Sequence, residues 1–558
     1  MSILFILLIL GSATLLSWPV AKGMTWAMNP PQKGMGFRHG IESVFHRIGG
    51  QATTRDQNWK EYVLSLLLFN SFMFVVAFSI LSLQQILPLN PDGKGVLEPS
   101  LIFHTAVSFT SNTNLQHYSG EVSLSYFSQI FGLMWLQFVS AATGIAVLTA
   151  LARGLAGKIN IGNFFSDLMR AALLVLLPLA VVIAVLLILG GVPMTLQGEA
   201  MARTLEGALQ TIARGPVAAF VAIKQLGTNG GGFFGPNSAH PFENPSFFTN
   251  TVECISIVLI PMASVWMFGR ITGRMRHAVI VFAVMAVLLA GKVGLSVYFE
   301  SSPTAAFAGL PVQATGNLEG KELRFGAVAG PVWGTLTTAT SNGSVNSMHD
   351  SFNPLTGLIA LVGMWFNIAF GGVGVGLINM FLYIIVGVFI SGMMVGRTPE
   401  YLSKKVKTRE MKLALLAILV HPLFILGGTA IFALTPWGAP TVHNSGAHGF
   451  TEILYEFSSA AANNGSGFEG LGDNTVPWNV ATGIIMLLAR FIPIILPLAI
   501  AGSLANKKPT PETAGTLRTD TPLFGMVILG SVVFIGALLF LPVAVLGPIA
   551  EHLASVHP

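Results

Sequence analysis

Ten times along this chain a run of about 18 or more apolar residues recurs, near 3–20, 62–86, 124–151, 171–191, 251–269, 277–298, 357–395, 411–435, 479–505 and 523–549. A helix of that length crosses a hydrocarbon core of roughly 30 Å, where the backbone must satisfy its own hydrogen bonds. The expected fold is an all-α integral membrane protein with ten transmembrane helices. The composition agrees, with 53% hydrophobic and only 9% charged residues. That leaves too little polar surface for a water-soluble enzyme, a disordered scaffold or a nucleic-acid binder. The single cysteine, Cys254, excludes an intramolecular disulfide and a thiolate zinc framework, and is expected to be buried filler.

Charge orients the spans. Of the 29 Lys and Arg, 21 fall in the connections 21–60, 152–170, 270–276, 396–412 and 506–521. The alternate connections are longer but carry only Lys94, Arg203, Arg214, Lys224, Lys321 and Arg324. The positive-inside rule then makes the basic loops cytoplasmic and both termini extracytoplasmic. The first run has no positive residue before it and is followed by Lys22 and Lys33, the wrong polarity for a signal peptide, so it is expected to be a retained span.

Each of the four long outer connections holds an apolar stretch of about 11 to 15 residues, too short to cross and too apolar for a solvated loop. These are expected to be re-entrant helices. They end in related tripeptides: Ser111-Asn112-Thr113, Thr228-Asn229-Gly230, Ser341-Asn342-Gly343 and Asn463-Asn464-Gly465. The asparagines lie 117, 113 and 122 residues apart, the spacing of a fourfold internal repeat. Pro99, Pro216 and Pro331 in a first helical turn, and Thr451 as an N-cap, are expected to start the short helices. The chain then divides into an N-terminal helix with its cytoplasmic loop (1–60), four repeats of span, short helix, loop and span (61–154, 171–270, 277–396, 411–505) and a C-terminal helix (522–558).

Four irregular segments around one axis are tolerated at membrane depth where they line a watery path. A ring of carbonyls there replaces the hydration shell of an alkali cation, and glycines permit the backbone angles this needs. The half-helices also point their negative C-terminal ends at the ion. The expected ligand is a dehydrated monovalent cation, and potassium is the cheapest of the common ones to dehydrate. The candidate residues are Asn112, Thr113, Asn114, Thr228, Asn229, Gly230, Ser341, Asn342, Gly343, Asn463, Asn464 and Gly465. Thr113 is read as standing where the other units have glycine, and side-chain oxygens of Asn112, Asn114, Thr228 and Ser341 suggest one tight site. No Asp or Glu cluster in these loops offers the ligands calcium or magnesium take.

The run 357–395 would be roughly 58 Å long as one helix, nearly twice the membrane, so it must break. Gly371 to Gly376 is the expected place, with Gly371, Gly372 and Gly374 forming a gate or plug below the filter. The alternative is a glycine face packed closely on a neighbouring helix. Arg490, midway along a span, reads as an electrostatic element below the filter, against a helix-bridging alternative. Lys292 is expected to snorkel and Lys224 to point away from the ion path. His104, His240, His349 and His448, one per repeat, are expected to make loop hydrogen bonds rather than hold a metal. The basic run Lys404, Lys405, Lys407, Arg409 and Lys412 faces anionic lipid or docks a partner.

The segments 104–129 (HTAVSFTSNTNLQHYSGEVSLSYFSQ), 226–245 (LGTNGGGFFGPNSAHPFENP), 347–352 (SMHDSF), 396–413 (GRTPEYLSKKVKTREMKL) and 458–467 (SSAAANNGSG) closely resemble the A chain of the bacterial Kdp potassium-transporting ATPases, over nearly the whole chain. The resemblance implies the channel-like fold of the superfamily of potassium transporters, with an extra helix at each end. It implies a potassium-binding, translocating subunit of a high-affinity importer in the bacterial inner membrane, binding potassium as substrate in the filter. ATP would be hydrolysed by a separate P-type B subunit, with a C subunit and a very small F subunit completing the complex. Many family members have Glu where this chain has Asn367, so an acidic role there does not carry over.

The chain itself has no phosphate loop and no Asp-Lys-Thr-Gly phosphorylation motif, and its glycine runs follow no soluble strand. No cofactor, catalytic chemistry or nucleic-acid partner is expected. A stand-alone potassium channel or symporter of the Trk and Ktr type is the nearest rival; the first and tenth spans favour the ATPase assembly.

Overall fold

A computed structural model describes residues 2–29, 36–303, 316–394, 396, 398–511 and 517–556. Lys33 and Arg397, two of the basic-loop residues, lie outside them. Ten helices among the described residues are long and apolar enough to cross a membrane: Ile3–Met28, Trp59–Ser82, Ser128–Leu155, Phe164–Leu189, Phe247–Thr272, Met275–Glu300, Val375–Met394, Thr408–Ala433, Val476–Ala505 and Pro522–Ser555. Each coincides with one of the ten apolar runs. The chain is an all-α membrane protein; short two-stranded ribbons occur only in connections.

Local chemistry sets the boundaries. Asn58 and Glu61 form a reciprocal cap that starts the second long helix, and Ser246 with Thr249 does the same for Phe247–Thr272. The latter helix stops at Gly273, whose φ of 68° is left-handed and suits glycine. Most of Phe247–Thr272 is buried, whereas Phe164–Leu189 is largely exposed. In each repeat the span after the loop therefore stands nearer the centre than the span before it, as 72% against 28% burial in the first repeat also indicates. The N-terminal helix packs along Phe247–Thr272, with Trp18 edge-on to Trp266 at 5.5 Å. The C-terminal helix covers repeat three, where Phe540 stacks on Trp365 at 4.8 Å.

A short helix precedes each of the four tripeptide loops: Pro99–Thr110, Val217–Leu226, Gly326–Ala339 and Gly446–Ala462. Pro99 occupies the first turn, with the Glu98 carboxylate capping Leu101, and Pro216 is itself the N-cap. Pro216 thus stands one residue before the first turn expected for it, and the other two starts differ further. Pro331 lies inside its helix, five residues past the start at Gly326. Thr451 is buried inside the fourth helix and donates back to the Ala447 carbonyl at 2.8 Å, the bond of a helix-interior threonine rather than a cap.

The long run breaks as expected, into Pro354–Phe366 and Val375–Met394. The break opens at Asn367, a left-handed helix cap with φ 45°, and closes at Gly374 with φ 78°. Cys254 is free and buried. Lys292 is 8% exposed and finds no hydrogen-bond acceptor among the described residues.

Candidate functional site

The four loops share one backbone pattern. Left-handed φ angles occur at Asn112 and Asn114 (63° and 57°), Thr228 and Gly230 (46° and 87°), Ser341 and Gly343 (49° and 92°), and Asn463 and Gly465 (51° and 104°). The residue between each pair donates its N–H to the carbonyl five residues back, Thr113 to Ser108, Asn229 to Lys224, Asn342 to Thr337 and Asn464 to Ser459 (2.9 Å in each). The structure thus corrects the first tripeptide by one residue. Asn112-Thr113-Asn114 is equivalent to the other three, and Asn114, not Thr113, stands at the glycine position. Asparagine is among the few residues that tolerate the left-handed region. Its side-chain oxygen is fixed by the Gln137 amide at 3.1 Å.

Contacts pass from loop to loop around a closed ring. The Asn112 amide donates to the Thr228 carbonyl (2.9 Å), and the Asn229 amide donates back to the Asn112 side-chain oxygen (2.8 Å). A Cβ on Gly230 would strike the Asn342 carbonyl oxygen; one on Gly343 would strike that of Asn464, and one on Gly465 that of Thr113. Ser341 donates to the Ala462 carbonyl (3.0 Å), and the Asn463 amide to the Thr113 hydroxyl (2.9 Å). Loop one touches two, two touches three, three touches four, and four returns to one.

With their N–H groups bonded to the helices behind, these loops present oxygen. Among the described residues nothing donates to the carbonyls of Thr113, Asn229, Asn342 or Asn464. All four residues are buried. Unbonded buried carbonyls at the negative ends of four helices are the kind of ligand set that can replace the water shell of a dehydrated alkali cation.

Beneath the ring runs the broken span. Asn367 accepts from Ser341 Oγ (2.8 Å) and donates to the Ala462 carbonyl (3.0 Å), tying loops three and four from below. The Val373 N–H donates to Thr228 Oγ1 (2.9 Å), and Gly372 lies under Thr340 and Ser341. Gly374 and Gly144 pack backbone to backbone, so the glycine segment both underlies the loops and makes a close helix contact. A Cβ on Gly371 would press on the Asn367 carbonyl and Gly376. Arg490 is buried, reaches the Ser140 carbonyl only at 3.4 Å and has no carboxylate partner among the described residues. It lines a cavity of about 60 Å³ together with Ser341, Asn367, Gly372 and Asn463.

Lys224 points away from the ring, as expected, into an ion pair with Glu243. The histidines do not converge. His349 meets Tyr455 Oη (2.8 Å), His240 accepts from the Phe242 N–H (3.0 Å), and His448 joins Asp350 and Glu551 (2.9 and 2.8 Å). Burial opposes a charge on His448, but those two carboxylates overcome it and push the imidazole up to about 10.

His104 departs from expectation: neither ring nitrogen has a hydrogen-bond partner among the described residues, and the ring instead stacks on His117, a residue given no role from sequence. His117 bonds Asn479 (2.7 Å) and Glu456 (3.1 Å), with Asp473 at 3.8 Å, fastening loop one to repeat four. Its partners lie 362 and 339 residues away, beyond any local pattern. Lys404 is buried and lies in the ribbon Glu400–Tyr401 with Lys404–Lys405.

Residues 4–553 match the family described as the potassium-transporting ATPase A subunit. A relative from Geobacillus kaustophilus (strain HTA426), named potassium-transporting ATPase potassium-binding subunit, is 48% identical over 516 residues, 92% of each chain.

Proposed function

The chain belongs to the potassium-transporting ATPase A subunit family, and on that premise we propose that its four loops select and bind potassium for an ATP-driven importer. The observation that carries the reading is the closed ring of four loops whose Thr113, Asn229, Asn342 and Asn464 carbonyls accept no hydrogen bond among the described residues. The ion enters from the extracytoplasmic side. Of the five basic connections, those described at 36–58, 156–163, 273–274, 398–407 and 506–511 lie at the opposite ends of the spans from the loops, supporting a cytoplasmic placement by charge. Both termini are then extracytoplasmic, in a bacterial inner membrane.

Asn367, Gly371, Gly372 and Gly374 form the constriction below the filter, and Arg490 sets the potential there. This subunit does not hydrolyse ATP; a P-type B subunit does, with C and small F subunits completing the complex.

The test is the division of labour. Potassium is expected to stimulate ATP hydrolysis by the assembled complex, while the purified chain binds potassium and hydrolyses no ATP. Hydrolysis by the chain alone, with contaminating ATPases excluded, would refute it.

A further inference from the structure

Lys224 is an ammonium group, 0% exposed, on the short helix that ends at the second filter loop. The equivalent residues of the other repeats, five before the middle loop residue, are Ser108, Thr337 and Ser459. A hydroxyl therefore suffices three times, and in two of those cases it accepts the N–H at the glycine position (Gly343 to Thr337, 2.8 Å; Gly465 to Ser459, 2.9 Å). A buried cation close to a cation site is costly to hold and needs full pairing.

Lys224 has that pairing. Its three protons go to Glu243, to Asn237 Oδ1 (2.7 Å) and to Ser238 Oγ (2.7 Å). Asn237, itself left-handed at φ 56°, turns its amide to the Gly230 carbonyl at 2.6 Å. An amide whose oxygen receives a charged donor is a stronger donor at its nitrogen. At the same loop position, the carbonyls of Asn114, Gly343 and Gly465 receive no hydrogen bond among the described residues. The tier at this position thus has three open oxygens and one engaged, whereas the tier at the middle residues has four open. From the same cluster, Ser238 and Gln225 both bond Glu253 (2.7 and 2.8 Å), and Ser344, next to Gly343, donates to Gln225 (2.9 Å).

We infer that Lys224 is a positioning residue which, through Asn237, holds the Gly230 carbonyl out of ion coordination and so confines tight potassium binding to the middle tier. This rests on the filter reading above.

The experiment uses the assembled complex carrying Asn237→Asp, which keeps an acceptor for Lys224 but sets an oxygen against the Gly230 carbonyl, and separately Asn237→Ala. The half-saturating potassium concentration for ATP hydrolysis is expected to rise by about tenfold or more, with the maximal rate retained and discrimination against rubidium reduced. Lys224→Arg, which keeps the charge, is expected to lie nearer the unsubstituted complex than Lys224→Met.

Potassium half-saturation and rubidium discrimination within about twofold of the unsubstituted complex in both Asn237 variants would overturn the inference. Failure of both to assemble would also overturn it, assigning the cluster to folding alone. Gly343→Asp in the same assay separates the two claims. If it alters potassium dependence while the Asn237 variants do not, only the Lys224 role falls; if it too is silent, the filter reading falls.

Discussion

Gly343→Ala adds a single carbon where loop three meets loop four backbone to backbone. Its φ of 92° is one that L side chains rarely adopt, and the new Cβ would strike the Asn464 carbonyl oxygen, with Asn464 C and Gly465 Cα at 2.9 Å. All of these are backbone atoms, so no side chain can rotate aside. Holding a non-glycine residue at such an angle costs about 1–3 kcal/mol. The least constrained way to relieve the contact is to move the Asn464 carbonyl, one of the four open oxygens. Strain released that way is expressed as lost ion affinity, roughly 5- to 150-fold at about 1.4 kcal/mol per factor of ten.

The assay is a potassium titration of ATP hydrolysis by the purified complex, repeated in rubidium and sodium. Gly427→Ala is the control, since nothing lies within 4 Å of its Cβ position. It is expected to leave both affinity and selectivity unchanged. A Gly343→Ala complex that assembles and keeps the unsubstituted potassium affinity and ion discrimination would refute the placement of the Asn464 carbonyl as a ligand.

Arg490→Met keeps the apolar stem and removes a buried charge that has no carboxylate partner among the described residues. The complex is expected to assemble but to transport less potassium per ATP or to leak it passively; unchanged uptake, coupling and leak in proteoliposomes would reduce Arg490 to packing. Asp167→Asn breaks the two-point pair with Arg153 (2.6 and 3.0 Å) and is expected to destabilise the chain by about 3–5 kcal/mol, read as a lowered thermal midpoint in detergent. Burial opposes a charge on His117, but Asp473 and Glu456 overcome it and push the imidazole up to about 9. Because that value is raised, the His117 contribution is fully present below its ordinary 6.5 and lost as pH rises through about 9. Thermal stability is expected to fall across that window, and His117→Gln to remove this part of the fall.

The spans were legible because each is a continuous apolar run, and no tertiary partner is needed to recognise one. The break in repeat three followed from length alone, and its glycines marked the place. Its first residue is Asn367, however, whose left-handed cap depends on bonds to Ser341 and Ala462 that no local pattern encodes. The register of the first loop differs from expectation because the asparagines on either side of Thr113 look alike in sequence; the left-handed φ at Asn112 and Asn114, with the Thr113 N–H bonded to Ser108 between them, fixes it. Pro331 and Thr451 each carry a helix-start signal, yet their helices begin upstream, at Gly326 and Gly446, with no side-chain cap bond to mark either start. Lys224 is expected to point away from the ion path on electrostatic grounds, and in the structure its ammonium pairs with Glu243. Its link to Gly230 passes through the positive φ of Asn237 and a fold of the following loop, which composition does not reveal.

The ring also has an order in time. Its final seam joins Asn463 to Thr113 across 350 residues, so the contact cannot exist until the fourth repeat has been made and docked. Contacts this distant in sequence form late and slowly. A chain that ends before the fourth repeat therefore holds three of the four loops and lacks the seam that closes the ring. The Thr113 carbonyl and hydroxyl, made early in the chain, therefore wait for the loop made last before either meets its neighbour in the ring.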